Sequence, residues 1–196
     1  MGLRIMKRIF LAIVALMLAV GAHAQTRVGF TAGYVASTAG LEVDRLETDT
    51  ELYSGFMAGL TLRQPLVLGF ALQPAFVLTS KGVEYGGTKA RISYLEIPVQ
   101  LQWGLDLVVF RPYVFAEPFI GYAVSGKMAG YSNFRADQIE NRFEYGMSLG
   151  GGMDIMRSLQ LSLRYFWNFE SVGEMKASSL DMDKLNGIVL SMSIFF

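Results

Sequence analysis

The chain contains no cysteine and a single histidine, His23. The first absence excludes disulfides, thiolate metal sites and cysteine nucleophiles. The second bears on catalysis, because His23 falls within an N-terminal segment that reads as a cleaved signal. A hydrolase of the Ser-His-Asp kind would then lack its base. Charge is sparse too, with 17 basic and 17 acidic residues among 196. No basic stripe of the sort that binds nucleic acid is present. The longest uncharged apolar run, Ile9 to Val20, is too short for a helix that spans a bilayer. Yet 52% of the residues are hydrophobic and 13% aromatic, with 21 glycines spread among them.

Residues 1–24 carry the marks of a secretory signal peptide. Arg4, Lys7 and Arg8 form a positive start, Ile9 to Val20 the apolar core, and Ala22-His23-Ala24 a small-x-small cleavage site. The expected domain division is a signal at 1–24 and one domain at 25–196. Removing three basic residues leaves 14 against 17 acidic ones, a mildly acidic mature chain.

The apolar residues that remain alternate. In Tyr94 to Val124, Leu95, Ile97, Val99, Leu101 and Trp103 share one face, while Glu96, Pro98, Gln100 and Gln102 share the other. A second strand follows a turn at 104–107, with Val108, Phe110, Val114, Ala116, Ile120, Tyr122 and Val124 opposite Arg111, Tyr113, Phe115, Glu117 and Phe119. A period of two is the strand signature. These runs are longer than the usual strand of about 5–6 residues and match the roughly 9–11 needed to cross a bilayer.

Six more strands follow the same pattern: Thr26–Val35, Leu52–Leu62, Leu66–Thr79, Arg142–Asp154, Leu159–Asn168 and Leu185–Phe196. Short turns are expected near 63–65, 104–107 and 155–158. Polar loops are expected at 36–51, 81–89, 126–141 and 170–184. Eight strands with alternating short and long connections predict an all-β fold: an eight-stranded antiparallel up-and-down transmembrane β-barrel preceded by a cleaved signal peptide. Closure is required, because an open sheet edge in lipid leaves its amides unsatisfied. Four prolines, Pro74, Pro98, Pro112 and Pro118, fall inside the expected strands, where each lacks a ladder donor. Bulges or fraying are expected there.

Two sets of residues follow from this facing. The lumen polar network is Arg27, Glu96, Arg111, Glu117, Glu144 and Arg164, with Gln73, Gln100, Gln102 and Gln160 beside it. Arg164, Glu96 and Glu117 fall at mid-height. An eight-stranded barrel has an interior that side chains can fill, so these charges are expected to pair and plug it. Glycines at 29, 33, 55, 59, 146 and 150 on the same face leave room for larger neighbours. On the lipid face, Trp103, Phe110 and Phe196 lie at the short-turn end, and Tyr34, Tyr122, Tyr165 and Trp167 at the loop end. Two aromatic girdles are what a membrane barrel places at its interfaces.

The segment Leu41 to Glu51 holds five acids and one base but lacks the spacing of a calcium loop. It reads as a solvated loop, and Tyr85, Tyr131 and Phe134 as loop aromatics. No catalytic residues, metal or cofactor are expected.

Tyr94-Leu95-Glu96-Ile97-Pro98, the strand Arg111-Pro112-Tyr113-Val114-Phe115-Ala116-Glu117-Pro118, Gly150-Gly151-Gly152 and the terminal Phe196 together resemble the PorT-like outer-membrane β-barrels of Gram-negative envelopes. A glycine is common in that family where this chain has Glu117. The resemblance implies an integral outer-membrane barrel, with Phe196 as the residue read by the outer-membrane assembly machinery. It also allows a role as a component or accessory of a protein-secretion machine.

The expected function is a monomeric, non-enzymatic barrel that stabilises the envelope or presents loops to a partner. Its expected partners are outer-membrane lipid, the assembly machinery and secretion-system proteins, and not nucleic acid. A soluble lipocalin-type barrel around a small ligand is the competing reading, because alternation alone does not say which face points inward.

Overall fold

The computed structural model describes residues 26–39, 53–85, 88–128, 142–156, 158–169 and 185–196. The expected signal peptide, the acidic segment Leu41 to Glu51, Tyr131, Phe134 and the polar stretch at 170–184 lie outside these residues.

Eight antiparallel strands form a closed meander: β1 (Arg27–Ala39), β2 (Tyr53–Pro65), β3 (Phe70–Tyr85), β4 (Thr88–Gly104), β5 (Phe110–Met128), β6 (Phe143–Ile155), β7 (Leu159–Asn168) and β8 (Leu185–Phe195). Each strand pairs with the next, and β1 closes on β8 with Gly33 opposite Ser191. The alternation decides the facing. Phe30, Leu60, Leu163 and Leu190 are between 50% and 61% exposed on the outside, whereas Glu96, Glu117 and Glu144 are at most 4% exposed inside. An apolar exterior around a polar interior reverses the arrangement of a lipocalin-type barrel and suits a lipid solvent.

The strands run further than the sequence pattern indicates. β3, β4 and β5 have 16, 17 and 19 residues, more than a bilayer crossing requires. The expected polar loop at 81–89 is therefore corrected: β3 and β4 continue pairing out to Tyr85 and Thr88. Lys81 and Gly82 are strand residues with buried side-chain positions. The first short turn is also displaced. β2 continues to Pro65, and the chain reverses at 66–69, where Leu68 and Gly69 take φ of 59° and 80°. Only the glycine adopts that region without steric cost. Leu66 and Leu68, expected on β3, belong to this turn.

Three of the four prolines sit at interruptions in the ladders, while Pro112 pairs with Met153 just beyond the end of the β4–β5 ladder. Pairing of β2 with β3 breaks between Thr61↔Ala75 and Gln64↔Leu72, beside Pro74. Pairing of β3 with β4 breaks between Pro74↔Val99 and Val77↔Glu96, beside Pro98. Pairing of β4 with β5 breaks between Pro98↔Phe119 and Leu101↔Ala116, beside Pro118. Each of these three thus turns its donorless nitrogen to a gap and keeps its pairing on the other side. The one register shift of the β4–β5 ladder lies elsewhere, between Ser93 and Tyr94, where Val124 is the extra residue.

Candidate functional site

Among the described residues, the lumen holds a layered set of ion pairs and amides. At the short-turn end, Asp154 on β6 accepts from Arg63 Nη2 at 2.5 Å and from Arg111 Nη1 at 3.2 Å. Arg111 also donates to the Gly69 carbonyl at 2.7 Å, tying β5 to the first turn. Above lies an amide layer: Gln102 donates to Gln73 and Gln100, each at 2.8 Å, and Gln73 donates to Gln160 at 2.8 Å. Threonine and serine fill the narrow gaps, with Ser193 donating to Thr31 at 3.0 Å and Ser162 sharing a hydrogen bond with Ser191 at 2.7 Å. Thr26 and Gln64 are hydrogen-bonded at the rim.

Mid-lumen, Arg164 Nε lies 3.2 Å from Glu117 Oε1, and Ser148 donates to the same oxygen at 3.3 Å. A cavity beside this pair measures about 10 Å³. That is space for about one water, not for a conduction path.

The outer layer centres on Lys81. Its Nζ lies 2.7 Å from Glu96 Oε1 and 3.0 Å from Glu144 Oε1. Thr79 donates to Glu96 at 2.9 Å, and Asn168 to Glu144 at 2.6 Å. Three rings enclose the ammonium, with centroids at 4.5 Å for Phe119, 4.8 Å for Phe166 and 5.4 Å for Tyr94. Two carboxylates and three aromatic faces offset the desolvation of one cation.

Of the residues singled out in the sequence, Glu96, Glu117, Glu144, Arg111 and Arg164 lie buried inside, and Arg27 is half-buried at the short-turn mouth. They do not form one network. Arg164 and Glu117 pair at mid-height, while Glu96, expected beside them, belongs to the Lys81 layer. Lys81, Arg63 and Asp154 were not singled out, although each holds a layer together. Asp154 and Arg63 could have been found from the facing of β6 and β2, since both continue the polar register. Close approach explains one glycine directly. A Cβ on Gly146 would stand 2.5 Å from Phe119 Cζ, so that ring's place over Lys81 depends on a bare backbone.

The aromatics singled out for the outer face lie toward the two ends of the strands. Trp103 is next to last in β4 and Phe110 begins β5, and Phe196 packs edge-on against Phe30 at 5.9 Å. Tyr165 and Trp167 make an edge contact at 4.9 Å toward the other end, where Tyr34 and Tyr122 are also exposed.

Known proteins share this architecture. Residues 21–173 match the family model described as the outer membrane protein beta-barrel domain. Neisserial surface protein A is similar in structure, with a TM-score of 0.53 at 14% identity, over 88% of this chain and all of that one. OprG from Pseudomonas aeruginosa follows with a TM-score of 0.49 at 17% identity, over 87% of this chain and 94% of that one. No match to a curated protein was found.

A third similar structure corrects the expectation of a barrel without catalysis. It is the outer membrane enzyme PagL, with a TM-score of 0.48 at 12% identity, over 84% of this chain and 98% of that one. The missing histidine argues against one mechanism class only, and sites are grafted onto folds rather than dictated by them. The apolar exterior, the closed eight-strand meander and the family match lead to one conclusion: the chain belongs to the outer membrane protein beta-barrel domain family and is an integral outer-membrane protein.

Proposed function

We propose that this barrel is sealed, and that it serves the envelope as a monomeric scaffold presenting its outward loops to a partner. The observation that supports this is the filled lumen, where the Arg164–Glu117 pair and its amide neighbours leave about 10 Å³ at mid-height. A transporter of solutes needs a path, and close packing of that layer opposes one. Phe196, exposed at the short-turn end, is the contact for the assembly machinery. Reconstitution into planar bilayers tests the sealed state: no stable openings are expected, and stable large-conductance openings would overturn it. Shortening the segment 41–51 tests the presenting role. The shortened barrel should still assemble but lose the envelope function restored by the full chain; full restoration would count against that segment.

The second reading is a component or accessory of a protein-secretion machine, which the PorT-like resemblance allows. Tyr94, Glu96 and Glu117, which carry part of that resemblance, are at most 4% exposed and build the lumen. They therefore support kinship in fold more than a shared partner surface. Loss of secreted cargo on deletion would favour this reading, and an unchanged set of secreted proteins would remove it.

A further inference from the structure

Turns that face water are built from glycine, proline, asparagine, aspartate and serine. The short turns of this barrel are built otherwise. Seven of the nine residues at 66–69 and 105–109 are leucine or valine, and all seven are exposed. Leu68 is 85% exposed, Val108 is fully exposed, and Met156 in the third turn is 74% exposed. Two of these side chains also stand on costly backbone. Leu68 and Met156 take φ of 59° and 51°, a region left mainly to glycine, with asparagine and aspartate next. Exposed as they are, neither recovers that cost by packing within the barrel.

The turn backbones are provided for internally. Leu66 N–H donates to the Phe70 carbonyl at 2.8 Å, and Leu107 N–H to that of Phe110 at 3.0 Å. Neighbouring turns are also tied to one another. Gly104 N–H, at the end of β4, donates to the Gly69 carbonyl at 3.0 Å, and Met156 N–H to that of Val109 at 2.9 Å. Amides satisfied in this way tolerate poorly hydrated surroundings. Asp106, the one charged residue of the first two turns, lies 3.4 Å from Arg111 Nε.

Two features identify what covers this end. The apolar turns follow one another around the rim, at β2–β3, β4–β5 and β6–β7, rather than forming one patch. They are also continuous with the lipid-facing surface, since Gly69 leads into Phe70 and Val109 into Phe110, both exposed. A bilayer meets a barrel as a ring, whereas a protein partner meets one side of it.

We propose that the three turns form an apolar cap immersed in the periplasmic leaflet, against the glycerol and upper acyl region of its phospholipids. Short turns face the periplasm in barrels of this class. The cap sets the depth of the barrel. β5 has 19 residues, and a crossing takes roughly 9–11, so its surplus stands on the loop side. The inference rests on the integral barrel alone and not on the partner-presenting role.

Fluorescence quenching tests it. Val67→Cys, Val108→Cys and, as a lipid-facing reference, Leu149→Cys are each labelled with bimane, folded into phosphatidylcholine vesicles and checked for heat-modifiability. Val67 and Val108 are exposed and lie in different turns, so neither change disturbs the packed interior. Brominated acyl chains should quench both turn labels at least half as strongly as the label on Leu149→Cys. Iodide, present on both sides of the vesicle, should quench them at least fivefold less than in the same proteins unfolded in urea. Iodide quenching equal to that of the unfolded chain would place the turns in water and overturn the cap. Shielding from iodide without quenching by the brominated lipid would also overturn it, in favour of a second copy of the chain as the cover.

Discussion

Lys81 on β3 meets Glu144 on β6 at 3.0 Å, three strands away around the barrel wall. The contact crosses the lumen, so it exists only when the sheet is closed. With Glu96 at 2.7 Å, it makes one buried ammonium answer for two carboxylates.

Replacing Lys81 by methionine removes the countercharge that these two glutamates share and leaves both buried. Breaking such a pair costs about 3–5 kcal/mol. Equilibrium urea unfolding in lipid vesicles should show a loss of that order. A double variant with Glu144→Gln should recover part of it, because one of the stranded charges is then gone. Wild-type stability in Lys81→Met would contradict the geometry of this layer.

Mid-lumen, Arg164→Met combined with Glu117→Gln should cost less than the sum of the two single changes. Each single change strands one charge, and the double change strands none. Additive losses in the double-mutant cycle would show that the two side chains do not interact.

Two glycines of β6 should respond differently to one methyl group. A Cβ on Gly146 would stand 2.1 Å from the Trp167 carbonyl and 2.5 Å from Phe119, whereas on Gly151 its nearest neighbour is the Tyr113 carbonyl at 3.3 Å. Gly146→Ala should destabilise by about 1–3 kcal/mol through overpacking. Gly151→Ala should cost measurably less in the same unfolding assay, and equal losses would count against the packing described.

Outside, Leu190 pairs with Leu163 on one side and Tyr34 on the other, all facing lipid. Leu190→Arg should cost about 2–4 kcal/mol and lower the yield of heat-modifiable barrel. Normal assembly of this variant would mean that the apolar face does not meet the bilayer.

The fold was legible because a membrane barrel imposes period-two alternation along every crossing strand. β7 illustrates this: its bounds, Leu159–Asn168, are those expected from alternation alone. Strand ends were less legible for a physical reason. In a barrel with a polar interior, a charged residue is as much at home inside a strand as in a loop. Lys81 and Arg63 were therefore assigned to loop and turn, yet each points inward to a carboxylate. The partners themselves were out of reach. Whether Glu96 pairs with Arg164 or Lys81 depends on register between strands, which periodicity along one strand does not set. The prolines could be flagged from sequence, but their alignment with ladder gaps is likewise a property of pairing.

The absence of cysteine permits the most direct test of the central claim, a sealed barrel with its polar face inward. Neighbouring residues on β6 are replaced singly: Ser148, 1% exposed inside, and Leu149, 49% exposed outside. Both single-cysteine proteins are then treated in vesicles with a charged thiol reagent and with a lipid-soluble one. The account predicts that Ser148→Cys resists both reagents, and that Leu149→Cys reacts with the lipid-soluble reagent alone. Rapid labelling of Ser148→Cys by the charged reagent would mean an open, water-filled lumen, and charged labelling of Leu149→Cys would mean that the barrel faces the other way.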